Sequence, residues 1–152
     1  LSGKNMTYFD TKSQEKYHPY IIETSTGLNR LFLMVLCEAY FEDIDNNRVV
    51  LRLPYELAPI KAVICPLVKK DGLPEKAMSL FNELNQAFPC VYDEQGSIGK
   101  RYYRQDEAGT PFGITLDHDT LEDNSVTIRE RDSMQQTRIP INKIATFISE
   151  NK

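Results

Sequence analysis

Apolar residues recur along the chain with two different periods, and each change of period marks a new element. From about Gly27 to about Phe41, Leu28, Leu31, Phe32, Val35, Leu36 and Ala39 follow the i, i+3, i+4, i+7 spacing of a helix. Leu33, Met34 and Cys37 widen that stripe until the helix is apolar nearly all round. Such a helix has to be buried against something large. Met6 to Phe9 and Tyr20 to Ile22 read as short strands before it, with polar turn material from Asp10 to Lys16 between them. Two short strands are too little to cover that helix, so residues 1–54 read as the tail of a bigger domain. Glu42 to Asn47 is acidic loop, and Val49 to Leu53 is an extended run that ends at Pro54 and links to the second block.

Residues 55–152 alternate strands and helices. Ile60 to Cys65 is rich in β-branched residues and reads as a buried strand. Asp71, Gly72 and Pro74 punctuate a helix start, and Ala77, Leu80, Phe81, Leu84 and Phe88 give that helix one apolar stripe. Val91 and Tyr92 form a short strand, and Ser97 caps a helix to about Glu107. Phe112, Ile114 and Leu116 alternate with Gly113, Thr115 and Asp117, a period-two strand. Val126 to Arg131 and Gln135 to Ile139 are strands joined at Asp132-Ser133, and Pro140 opens a last helix. The order β-α-β-α-β-β-β-α predicts an α/β domain, a mixed sheet with flanking helices, of about 100 residues.

Composition narrows the possibilities. At 152 residues, 41% hydrophobic and 26% charged, the chain can bury one core and is neither disordered nor a disulfide scaffold. No run of about 18 apolar residues suggests a membrane span, and no signal peptide opens the chain. Leu1 in place of Met points to a fragment or a processed chain. Cys37, Cys65 and Cys90 are far apart and odd in number, which suits reduced thiols in a cytosol. His18 and His118 stand near no cysteine at metal-ligand spacing, so no structural metal is expected. The net charge of −4 argues against a protein that coats nucleic acid indiscriminately. Charge is segregated, however. Residues 97–104 hold Lys100, Arg101 and Arg104 without an acid, and residues 117–123 hold Asp117, Asp119, Glu122 and Asp123 without a lysine or arginine. That pattern fits a partner read at defined points.

The run from Ile21 to Arg30 concentrates candidate chemistry. On an extended strand Glu23 and Ser25 share a side, and a carboxylate two residues from a hydroxyl can hold a small ammonium group. Gly27 permits a tight turn. Arg30 follows on a helix that is otherwise nearly all apolar, where its planar fork can clamp a phosphate. The plainer reading is an edge-strand glutamate, a capping serine and a solvated arginine. Gly96-Ser-Ile-Gly-Lys100 is too short between its glycines for a phosphate-binding Walker sequence.

Tyr20-Ile-Ile-Glu-Thr-Ser-Thr-Gly-Leu-Asn-Arg30 resembles motif 3 of class II aminoacyl-tRNA synthetases, in particular the homodimeric glycyl type, and Met6 to Asp10 resembles the strand leading into it. Leu57-Ala-Pro-Ile-Lys61, Pro66 to Pro74, Gly96 to Glu107, Gly109 to Phe112 and Thr120 to Asp132 resemble, in order, the C-terminal domain of that family. The resemblance covers nearly the whole chain. It implies an enzyme that joins glycine to ATP, with Mg2+, as glycyl-adenylate and passes glycine to tRNA(Gly). It implies that Arg30 contacts ATP phosphate and that Glu23 and Ser25 hold the glycine ammonium. Thr24 stands where a proline is common. Motifs 1 and 2 are absent, so the fragment is not expected to be catalytic alone, and a homodimer is expected of the whole protein.

The same resemblance makes residues 55–152 an anticodon-binding domain. RNA loops are read by splayed bases that stack and pair with side chains. Arg101, Tyr102, Tyr103 and Arg104 offer stacking faces and phosphate contacts, and Arg129, Arg131 and Asp132 project from a strand and its turn. Asp106, Glu107, Asp119 and Glu122 are acceptors suited to a cytosine amino group, and glycine tRNAs carry two cytosines in the anticodon. The competing readings are core packing for a tyrosine, surface ion pairs among residues 129–132, and turn-shaping for Asp119 and Asp123. The rival for the whole chain is a non-catalytic nucleic-acid-binding accessory protein that reuses the scaffold; the presence of Glu23, Ser25 and Arg30 argues against it. A third reading, a protein-interaction module, would need a long exposed apolar patch.

Overall fold

Five consecutive buried residues form β5 (Ala62–Pro66), and a strand buried on both faces calls for parallel neighbours whose crossovers cover it. In the computed structural model, which describes residues 3–151, β5 pairs in parallel with β6 (Cys90–Tyr92) and with β7 (Phe112–Leu116). The crossovers are α2 (Leu73–Leu84) and α3 (Ile98–Ala108). β8 (Ser125–Glu130) and β9 (Gln136–Pro140) extend the sheet antiparallel, giving the order β6-β5-β7-β8-β9. The expected mixed sheet with flanking helices is therefore present.

Period two sorts the side chains of this sheet. Ala62, Ile64, Phe112, Ile114, Val126 and Ile128 face the main core, closed by α2 and by Ile144 and Ile148 of α5 (Ile144–Glu150). The other face carries Gly113, Thr115, Thr127 and Arg129, which pair across β7 and β8. There α3 lays Tyr102 against Gly113, where an added Cβ would come within 2.5 Å of the ring. The hydroxyls of Tyr102 and Thr115 share a hydrogen bond. On β9, Gln136 and Arg138 of this face remain exposed, whereas Ile139 turns to the main core.

The N-terminal part departs from the expectation in detail. A hairpin joins β1 (Tyr8–Asp10) to β2 (Glu15–Tyr17), so the second strand starts inside the segment read as turn. Tyr8 and Tyr17 stack edge-on at 5.7 Å, and Gln14 takes a left-handed φ of 58° in the turn. No strand forms at Tyr20–Ile22, because an extended segment needs a partner ladder and none pairs with it among the described residues. The apolar helix is α1 (Leu28–Ala39). It ends two residues early because Tyr40 and Phe41 open β3 (Tyr40–Asp43), which pairs with β4 (Arg48–Leu51) where the sequence reads as loop and linker. Asp43 ties the hairpin by accepting from the Asn46 side chain, and Asn47 supplies the left-handed residue at φ 49°. β4 packs on α3, with Val50 fully buried. A second unexpected element is α4 (His118–Asp123), six residues set up by a capping box between Asp117 and Thr120.

Candidate functional site

Arg30 lies in the first turn of α1, after an extended Gly27. Glu23, Ser25 and Arg30 are all exposed, and among the described residues none of their side chains has a partner. Glu23 and Ser25 sit on an irregular segment rather than on the expected strand, so their shared side is not set by a sheet. Arg30 rims an open groove of about 1020 Å³ with Leu33, Met34, Cys37, Arg52 and Leu57. Much of the apolar surface of α1 is uncovered, with Leu28 78% exposed, Phe32 63% and Met34 67%, whereas Val35 and Ala39 at its end pack on Leu53 and Ala58.

Four of the residues expected to reach RNA are instead interior. Arg101, Asp106, Arg129 and Arg131 are each at most 5% exposed. Arg101 donates to the carbonyls of Pro66 and Gly96, tying the end of β5 to the loop before α3. Asp106 accepts from Arg48 at 2.8 Å and from both Nη atoms of Arg129 at 2.9 Å. Arg131 donates to the carbonyls of Leu53 and Gly109, both at 3.0 Å, and pairs with Asp132. A buried guanidinium has to be hydrogen-bonded or paired, and here internal partners occupy these groups. The RNA-contact reading of all four is corrected: Asp106, Arg129 and Arg131 hold the β3–β4 hairpin, α3 and β8 together, and Arg101 ties β5 to the loop before α3. Tyr102 is packed beneath α3, with the Arg129 guanidinium 4.8 Å from its ring centroid.

The exposed candidates divide between two places. Glu107 lines a cleft of about 340 Å³ between α3 and the β3–β4 turn, with Tyr103, Glu42 and Asn47. Arg104 and Asp119 stand elsewhere, near the carboxyl ends of the parallel strands, the edge at which open α/β sheets bind ligands. Arg104 pairs with Asp93 at 2.7 Å just after β6. Asp119 is in the first turn of α4, just after β7. Lys69 and Lys70 are exposed after β5, with Lys69 3.6 Å from Glu94. Arg138 joins this edge from β9. It forms an ion pair with Asp117 at 2.7 Å and another with Asp123 at 3.3 Å. The Arg138 guanidinium holds the Asp117 carboxyl below its ordinary value, against the opposing effect of burial. Sequence reading passed over Arg138; the available signal was its place in an alternating strand, opposite in phase to Ile139.

Residues 61–151 match the family model described as the anticodon binding domain. The chain belongs to that family. The matched range takes in the whole five-stranded sheet with α2 to α5, so the exposed carboxyl edge is an edge of the anticodon-binding domain itself. The full chain is 52% identical to a glycine–tRNA ligase of Treponema denticola, aligned over 99% of this chain and 36% of that protein. It is 53% identical to the one from Clostridium tetani, over 98% of this chain and 32% of the other. It is 49% identical to that of Chlorobaculum tepidum, over 97% and 32%. The chain thus spans about a third of the length of the curated relatives it matches. Among the described residues no helix is long and apolar enough to cross a membrane, and no group of three His, Cys, Asp or Glu is placed to hold a metal ion.

Proposed function

We propose that this chain is the C-terminal part of a cytoplasmic glycine–tRNA ligase and that its anticodon-binding domain recognises the anticodon of tRNA(Gly). The observation that carries the reading is identity of about one half to glycine–tRNA ligases across nearly all of this chain, residues 1–54 included. In this reading residues 1–54 end a catalytic domain and residues 55–152 form the anticodon module. Glu23 and Ser25 hold glycine, and Arg30 holds ATP phosphate in the whole, homodimeric protein. Arg30 fits that role because its guanidinium is exposed and has no partner among the described residues. ATP with Mg2+ supplies the activation chemistry there; the residues described here contribute charge and position. RNA contacts fall to Arg104, Lys69, Lys70 and Asp119 at the carboxyl edge, where cations meet phosphate and carboxylates meet base amino groups.

The test is a titration with an anticodon stem-loop carrying the central and third cytosines, beside one with both changed to uracil, at low and moderate salt. Tighter binding of the cytosine loop that survives added salt is expected. Equal and salt-sensitive binding of both would leave phosphate attraction alone and move the reading to an accessory nucleic-acid-binding protein built on the same scaffold.

A further inference from the structure

We propose that Arg138 and Asp117 together form a two-point reader for the amino-bearing edge of a splayed cytosine, a role that rests on the anticodon reading above. The two residues lie on the sheet face that α3 only partly covers. Arg138 is opposite Thr127 in the β8–β9 register, and Gln136 beside it is exposed. Their side chains are 33% and 23% exposed, enough for an incoming base edge.

The hydrogen bonds already made define what is left over. Asp117 Oδ1 accepts from the Thr120 backbone N–H, the Thr120 hydroxyl and Arg138 Nη2. Asp117 Oδ2 accepts only from Arg138 Nη1, at 2.7 Å, and keeps a lone pair. Arg138 Nη2 is shared between Asp117 and Asp123, and Nε points at Asp123 at 3.4 Å. Nη1 has two N–H groups and one partner, so one N–H is unused. A free acceptor and a free donor therefore stand side by side, held in orientation by Thr120 on one flank and Asp123 on the other.

A base that fits this edge must present a donor beside an acceptor. Cytosine does so with its N4 amino group and N3, placing the amino group on Asp117 Oδ2 and N3 on Arg138 Nη1. Held the same way round, with its exocyclic group on Asp117, uracil presents O4 and N3–H, which sets oxygen against carboxylate and N–H against guanidinium. Adenine offers the cytosine-like order through N6 and N1, and guanine the uracil-like order. The carboxylate and guanidinium thus copy the first two positions of the guanine pairing edge. An exposed pair of this kind contributes little to stability, so its effect on discrimination is separable from its effect on folding.

The test uses the intact protein and anticodon stem-loops in which the central and third cytosines are changed, one at a time, to uracil or adenine. At one of the two positions, wild type should prefer cytosine over uracil by roughly tenfold or more, the range of one good bidentate contact, and should tolerate adenine better than uracil. Arg138→Ala, and Arg138→Lys, which keeps the charge but not the fork, should remove that preference with little change in the melting midpoint. Asp117→Asn keeps an N-cap but turns the edge into donor beside donor, and should bring the ratio to one or below. A wild type that prefers cytosine while all three variants keep the preference overturns this inference and leaves the anticodon reading standing. Equal weakening toward every loop also overturns it, because that is the signature of a phosphate contact. A wild type without any cytosine preference defeats both.

Discussion

Asp106 is held between two cations that come from separate stretches of sequence. Arg48 arrives from β4 and Arg129 from β8, and the Arg48 guanidinium is completed by Asp43 and the Arg131 carbonyl. Removing the shared carboxylate would leave two buried guanidinium groups short of charge. Asp106→Ala should therefore cost about 3–5 kcal/mol, the usual range for breaking a buried pair on one side, read as a lower urea midpoint. Gly113→Ala sets a methyl group into the Tyr102 ring and should cost about 1–3 kcal/mol by overpacking. The Arg138–Asp117 pair behaves differently because it is partly wet. At pH 7, Arg138→Ala should lose no more than about 1 kcal/mol. The Asp117 carboxyl lies below its ordinary 3.8 in the fold, chiefly through Arg138. Its contribution is then complete above pH 3.8 and fades as pH falls through the lowered folded value. Urea unfolding of wild type and Arg138→Ala should converge in acid. A gap that persists or grows as pH drops would mean that Arg138 acts on stability through something other than this carboxylate.

At the scale of elements, what was legible depended on whether the decisive contacts were local. β5, α2, α3, β7 and the β8–β9 pair follow from apolar period and from turn residues, and they stand where the pattern puts them. α4 escaped notice because six residues carry too little periodicity, and what starts it is a cap from Asp117. The β3–β4 hairpin escaped because its acidic turn reads as loop, and because Arg48, its buried charged anchor, finds Asp106 58 residues later. For the same reason Arg101, Asp106, Arg129 and Arg131 looked like RNA contacts: sequence displays their charge and conceals their partners. α1 is the converse case. Its all-round apolar pattern asks for a covering layer, and the described residues leave Phe32 and Met34 mostly exposed. Phe32→Ala with Met34→Ala should change the stability of this chain on its own by no more than about 0.5 kcal/mol each, as surface changes do. In the whole protein each should cost about 2–5 kcal/mol, as core truncations do. Small losses in both settings, compared by thermal unfolding, would mean that α1 faces water and that residues 1–54 do not end a larger domain.

At the scale of the molecule, the proposed chemistry is split between two surfaces with separate supports. Glu23, Ser25 and Arg30 lie in or beside the start of α1, whereas Arg104, Asp119 and Arg138 belong to the carboxyl edge of the five-stranded sheet. Substitutions at the two places should therefore dissociate. In the whole protein, Arg30→Ala should cripple ATP–pyrophosphate exchange with glycine, by removing the cation from phosphate, while leaving stem-loop binding unchanged. Glu23→Gln should raise the KM for glycine more than that for ATP, since only the ammonium loses its counter-charge. Arg104→Ala should do the reverse of Arg30→Ala, weakening the stem-loop and flattening its salt dependence by about one phosphate contact with exchange intact. Among the described residues the two surfaces are linked through the contact of β4 with α3 around Asp106 and through Arg131, which bonds the Leu53 carbonyl. If Arg104→Ala also lowered exchange measured without tRNA, those contacts would be transmitting a distortion, and Arg104 would have to be counted among the residues that hold the fold.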